Sequence, residues 1–121
     1  MSPIHWPEMA QMLSGELRHL RGGAPQVMKG FSAIAQAALA PGALDVKTKE
    51  LIALAIAVAV RCDDCVAFHA KAAVGQGASR EEMLETLGMA IYMGAGPSAM
   101  YASHALGAFT QYEEAAKAAK A

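Results

Sequence analysis

Ten consecutive apolar residues, LIALAIAVAV at positions 51–60, constrain the fold of this chain more than any other feature. Lys47, Lys49 and Glu50 lead into the run, and Arg61 and Cys62 follow it at once. It is half the length of a membrane span, which needs about 20 apolar residues, and a helix that is apolar on every face must be surrounded by protein. A chain of 121 residues withdraws roughly 60–70% of its unfolded surface from water and so holds a real core, but it can hardly encircle such a helix alone. Part of the cover is expected from another subunit, and the inference is a stable homo-oligomer. A central helix in a monomeric bundle is the competing arrangement, and mass in solution separates the two.

The rest of the chain is punctuated into helices. Gly22-Gly23-Ala24-Pro25, Pro41-Gly42, Gly75-Gln76-Gly77 and Gly94-Ala95-Gly96-Pro97 are the breaks. Over residues 7–21 the apolar Met9, Met12, Leu13, Leu17 and Leu20 recur at i, i+3, i+4, and over residues 25–39 Val27, Phe31, Ile34 and Leu39 do the same. Ser79 and Glu82 have the spacing of a capping box, which predicts a helix from there to about Met93. Pro97 suits the first turn of another helix, extending to Tyr112 or beyond, because its missing N–H would be unpaired there anyway. Glu113 stands four before Lys117 in an Ala-rich tail whose end is expected to fray. With 28 alanines and no segment that alternates like a strand, the expected fold is all-α, about six helices in a single domain over 1–121.

Charge narrows the function. Ten Lys and Arg balance eleven Asp and Glu with no basic run, so there is no electrostatic footprint for nucleic acid or an anionic membrane. No secretory signal is read at the N-terminus, and the expected compartment is the cytoplasm. Two cysteines in a reducing compartment point to reactivity or metal binding rather than a permanent bridge.

The chemistry-bearing cluster is Cys62-Asp63-Asp64-Cys65-Val66-Ala67-Phe68-His69, with Glu50 before it. Steps of three and four nearly complete a helical turn, so Cys62, Cys65 and His69 fall within one arc. A helix starting at Asp63 or Asp64 would put Cys62 where unpaired N–H groups favour a thiolate. An ordinary thiol is only about 3% ionised at pH 7, and His69, one turn after Cys65, is placed to serve as a base. A helical hairpin would fold Glu50 back behind the imidazole and fix its tautomer. Asp63 and Asp64 oppose thiolate formation and read as helix-start residues that cap free N–H groups. Buried core cysteines and a zinc site are the competing readings, although no four ligands have a recognisable spacing. Val66 in place of a histidine excludes attached haem, and the lack of a βαβ pattern excludes a thioredoxin fold. Among the remaining residues, His104 reads as an ordinary partly exposed histidine, Tyr92 and Tyr101 as subunit-contact residues, and Met28, Met83, Met89, Met93 and Met100 as core or interface filler. His5, Trp6 and His19 lack a partner at useful spacing.

Glu50, the Cys62-x-x-Cys65 pair and His69 at this combined spacing, with Lys49-Glu50-Leu-Ile-Ala-Leu-Ala and the later Gly-Ala-Ser-Arg-Glu-Glu, resemble the alkyl hydroperoxidase D-like group of the carboxymuconolactone decarboxylase superfamily. The resemblance spans roughly residues 41–109. It implies an all-helical fold assembled as trimers or hexamers, and a cysteine pair cycling between dithiol and disulfide without a cofactor. Carried over, Cys65 attacks the peroxide, Cys62 resolves the sulfenic acid, and Glu50 and His69 move protons. Asp64 stands where the best-known members carry a second relay histidine. The expected partners are a hydroperoxide substrate and a peroxiredoxin or a lipoyl or other thiol electron donor. Two other functions remain open: a cofactor-independent lyase using His69 and Glu50 as acid and base, and a non-catalytic helical oligomer.

Overall fold

The computed structural model describes residues 3–120, and among these every regular element is a helix. The order is α1 (Trp6–Gly23), α2 (Pro25–Leu39), α3 (Val46–Val60), α4 (Asp63–Gly75) and α5 (Arg80–Lys120). The break expected around Gly94–Pro97 lies inside α5, where Ala95 leaves helical geometry at φ 57°, ψ −138°. Pro97 has no N–H to give the preceding turn, and its ring would meet the carbonyl four residues back, so a continuous helix cannot pass here. The two halves of α5 thus correspond to the two separate helices expected from the sequence. The second half runs to Lys120; Ala121 lies outside the described residues.

Helices α3, α4 and α5 pack on one another and form the core, with α1 laid against α4 and α5. Small residues make this close packing achievable. The buried face of α4 is Val66, Ala67, Ala70 and Ala73, and the second half of α5 buries Ser98, Ala102, Ala105, Phe109 and Tyr112 at alternating four- and three-residue steps, with Ala108 beside them. Trp6 and Phe109 are the largest fully buried side chains. The N-terminal segment is clamped to α5 by Gln111, whose Oε1 accepts from the Trp6 N–H at 2.8 Å and whose Nε2 donates to the Ile4 carbonyl at 2.7 Å.

The expected capping box is present. The Ser79 N–H donates to Glu82 Oε1 at 2.8 Å, and the Glu82 N–H to Ser79 Oγ at 3.1 Å. Lys47 Nζ reaches the same glutamate at 2.9 Å and ties the start of α3 to the start of α5.

Two apolar faces stay open within the single chain. The apolar stripe of α2 is uncovered: the helix has no buried residue, with Val27 72%, Phe31 61% and Ile34 68% exposed. The apolar run on α3 buries Leu54, Ala57 and Val58 and leaves Ile52, Ile56 and Val60 outside. Helices α2, α4 and α5 contact α3, and the described residues leave its other side open. On α1 the burial is at Trp6 and Ala10, while Met12 and Leu20 are exposed.

Candidate active site

The site is built at the turn between α3 and α4. Helix α3 ends with Arg61 in the left-handed region (φ 60°, ψ 50°), the Arg61 N–H donating to the Val58 carbonyl and the Cys62 N–H to the Ala57 carbonyl at 3.0 Å. This pair of bonds satisfies the last carbonyls of α3 and reverses the chain sharply. Cys62 then caps α4: its Sγ accepts from the Cys65 N–H at 3.2 Å. Cys62 therefore occupies the capping role assigned from sequence to Asp63 and Asp64, and both aspartates fall in the first turn of α4. Negative side chains there still complement the positive end of the helix dipole.

Cys62 and Cys65 form a disulfide across this first turn, with Cα atoms 5.2 Å apart and both residues half-buried. The Cys62 sulfur accepts from the Cys65 N–H at the helix start, a setting that favours negative charge on sulfur once the bond is reduced. His69 lies four residues after Cys65 on the same helix and hence on the same face.

The α3–α4 hairpin brings Glu50 back to this histidine. Glu50 Oε1 lies 2.7 Å from His69 Nδ1, the glutamate side chain 8% exposed and the imidazole 31%. With Glu50 as the carboxylate, Nδ1–H is the donor and Nε2 is left free to accept a proton. A buried carboxylate needs such a partner. Glu50 and His69 thus meet across the α3–α4 hairpin, and Cys62 and Cys65 are bonded at its turn.

Tyr101 lies on the second half of α5. The charge of the Asp63 carboxylate, followed by burial and hydrogen bonding to Asp63, holds its phenol above the ordinary value, with Arg61 opposing. Its ring stands edge-on to His104 with centroids 5.5 Å apart, and His104 stands edge-on to the buried Trp6 at 6.2 Å. Sequence spacing offered no sign of this row, because its members come from opposite ends of the chain. His5 and His19 are exposed on the outside of α1 and its leading residue. An open concavity of about 650 Å³ is lined by Arg80, Ser103, His104, Thr110 and Gln111 among others, and by none of the four candidate residues.

Known proteins agree with this architecture. The sequence profile of the carboxymuconolactone decarboxylase family matches residues 25–120, and the chain belongs to that family, whose superfamily includes the alkyl hydroperoxidase D-like proteins. A carboxymuconolactone decarboxylase family protein from Legionella pneumophila, solved in its apo form, superposes with a TM-score of 0.87 at 51% identity, covering 89% of this chain and 96% of that one. A family member from Thermotoga maritima, for which involvement in an antioxidative response has been suggested, gives 0.83 at 32% identity over 93% and 97%. An uncharacterised protein from the cox locus of Paracoccus denitrificans is 35% identical over 95% of this chain and 100% of its own length.

Proposed function

We propose that this protein is a thiol-dependent peroxidase and disulfide oxidoreductase. The observation that supports the reading is one hairpin carrying both a cysteine pair at bonding distance and, one turn after Cys65 on the same helix, a histidine backed by a buried carboxylate. Each part answers a need of the reaction. The Cys65 thiolate attacks one oxygen of the hydroperoxide; an S–O bond forms, the O–O bond breaks, and the alkoxide leaves with a proton supplied through His69 as the alcohol. Cys65 is then a sulfenic acid. Cys62, held as a thiolate by the helix start, attacks that sulfur; the S–S bond forms and hydroxide departs with a proton as water. A dithiol donor, a lipoyl group or another reduced protein thiol, returns two electrons and becomes a disulfide. No bound organic cofactor takes part.

A homo-oligomer belongs to this reading. Support comes from the uncovered stripe of α2 and from Ile52, Ile56 and Val60 on α3, exposed apolar faces of the kind that pair with a second copy. The cytoplasm, where reduced donors are available, is the setting that suits the chemistry; no described helix is long and apolar enough to cross a membrane.

The test is cumene hydroperoxide consumption with dihydrolipoamide as reductant. Turnover in the parent that is lost in both Cys62→Ser and Cys65→Ser is expected. Absence of turnover, with carboxymuconolactone decarboxylation that survives both substitutions, would replace this reading by the lyase.

A further inference from the structure

The concavity beside the N-terminal segment shares no residue with the cysteine hairpin, and the proposed peroxidase chemistry makes no use of it. At about 650 Å³ it has the volume of a small-molecule site. Its walls are Arg80 at the start of α5, residues of the second half of α5 from Ser103 to Glu114, and Pro3. Most of its inner polar groups already have partners. Thr110 Oγ1 donates to the Leu106 carbonyl at 2.9 Å and accepts from Arg80 Nη1 at 3.1 Å, and both polar atoms of the Gln111 side chain are taken by the N-terminal segment. His104 differs. Its half-buried imidazole stands edge-on to Tyr101 and Trp6 and makes no hydrogen bond among the described residues. An imidazole carries at least one N–H donor in either protonation state. Behind it the Trp6 indole is fully buried, and its Nε1–H has no acceptor among the described residues.

Arg80 supplies the charge. Thr110 and Glu113 each hold its Nη1 at 3.1 Å, which orients the guanidinium and leaves its Nε and Nη2 donors without a partner among the described residues. We propose that this concavity binds a small organic monocarboxylate, whose carboxylate accepts from the His104 imidazole and the open edge of Arg80 while its apolar body lies against Leu106 and Pro3. A guanidinium edge matches a carboxylate in shape as well as charge, and the two aromatic neighbours hold the imidazole ready. Acidic groups set the limit on ligand charge. Glu113 already sits on Arg80, and Glu114 is exposed in the lining, so a second negative charge on the ligand meets repulsion and a monoanion is preferred to a dianion. The inference goes beyond the thiol-redox reading and stands or falls separately from it.

The experiment titrates benzoate into the full chain by calorimetry at pH 7, with benzyl alcohol and phthalate as the uncharged and dianionic comparisons. Trp6 is the single tryptophan and stands against His104, so its fluorescence reports whether the ligand arrives at this wall. Benzoate is expected to bind saturably with a Kd of about 1 mM or below, to change the Trp6 emission over the same concentration range, and to bind at least about tenfold more tightly than either comparison. His104→Phe keeps a ring between Tyr101 and Trp6 but removes the donor, and Arg80→Gln removes the charge. Each should weaken benzoate about tenfold with helicity by circular dichroism unchanged; His104→Phe, which leaves the Arg80–Glu113 pair intact, decides the matter if Arg80→Gln does not fold. No saturable binding, benzyl alcohol or phthalate binding as well as benzoate, or parent-like affinity in His104→Phe would overturn the proposal. No thiol takes part in the readout, so benzoate binding in a protein that turns over no hydroperoxide retains this inference and removes the peroxidase reading, and turnover without benzoate binding does the reverse.

Discussion

The Glu50 carboxylate and the His69 imidazole, nineteen residues apart in sequence, meet at 2.7 Å across the α3–α4 hairpin. The contact exists because Arg61 adopts a left-handed conformation and Cys62 at once caps the next helix, leaving no slack between two antiparallel helices. It leaves Nε2 of the histidine free and directs the other nitrogen to the carboxylate. Glu50→Gln removes the charge that selects this tautomer. Oxidation of the reduced protein by hydroperoxide should slow by about 100-fold, the scale of a lost acid–base group, with helicity by circular dichroism unchanged. Stopped-flow fluorescence or thiol quenching measures the rate; a parent-like rate would show that the pair is structural only.

Ala95 sits at φ 57° and ψ −138°, a region natural to glycine, between Gly94 and Gly96. Ala95→Gly should release about 1–2 kcal/mol of backbone strain against about 0.5–1 kcal/mol of added chain entropy in the unfolded state. The expected Tm is equal to or a few degrees above the parent's, whereas Ala→Gly inside a regular helix lowers it. The neighbouring change has the opposite sign. A Cβ on Gly94 would come within 1.8 Å of Ser98 Oγ, so Gly94→Ala should cost about 1–3 kcal/mol by overpacking. Thermal unfolding of the two variants checks both signs.

Stability on the acid side should depend on two carboxyl groups far from the cysteines. Hydrogen bonding from Thr48 at the start of α3 holds Asp45 below its usual value, and the hydrogen bond with Lys47, aided by the Ser79 N–H, does so for Glu82. A lowered folded value means the contribution is complete above the ordinary carboxylate range, near pH 4, and fades as pH falls through the lower folded values. Lys47, raised mainly by its hydrogen bond to Glu82, contributes below its ordinary range and loses that contribution as pH rises through the raised value. The double variant Asp45→Asn/Glu82→Gln should therefore melt below the parent at pH 7, with the gap narrowing as the pH is taken down below the ordinary carboxylate range. A gap of constant size across that interval would contradict the assignment.

Phe31 and Ile34 project from a helix that buries nothing in its own chain. If a second copy covers this stripe, Phe31→Glu should shift the mass in solution from a multiple of the chain toward the monomer while helicity is retained. Sedimentation or light scattering decides it, and a parent protein that is already monomeric would remove the oligomer from the account.

Much of this was legible in the sequence. The helices announce themselves through Gly and Pro breaks and a capping box, because those devices are local and act within three or four residues. The Glu50–His69 pairing was readable because a tight hairpin folds α3 back on α4, and the Cys62–Cys65 pairing because the two are one helical turn apart. Two things were hidden. Cys62 rather than an aspartate caps α4, since a sulfur is a weak acceptor and propensity favours the carboxylates. The Trp6–His104–Tyr101 row depends on α1 folding back on the far end of α5, a contact with no local pattern. The incomplete cover of α3 was legible because an all-apolar helix is more than so short a chain can surround, whereas the periodicity of α2 marks an apolar face without saying what covers it.

The central claim is tested most directly by counting thiols in reduced, metal-free protein after denaturation, before and after one equivalent of an organic hydroperoxide, with Cys62→Ser and Cys65→Ser alongside. The account predicts that the parent loses two thiols per chain and that a sulfenic acid is trapped only when Cys65 remains. Two thiols still present after minutes of exposure would contradict it and leave the Cys62–Cys65 pair without peroxidatic chemistry.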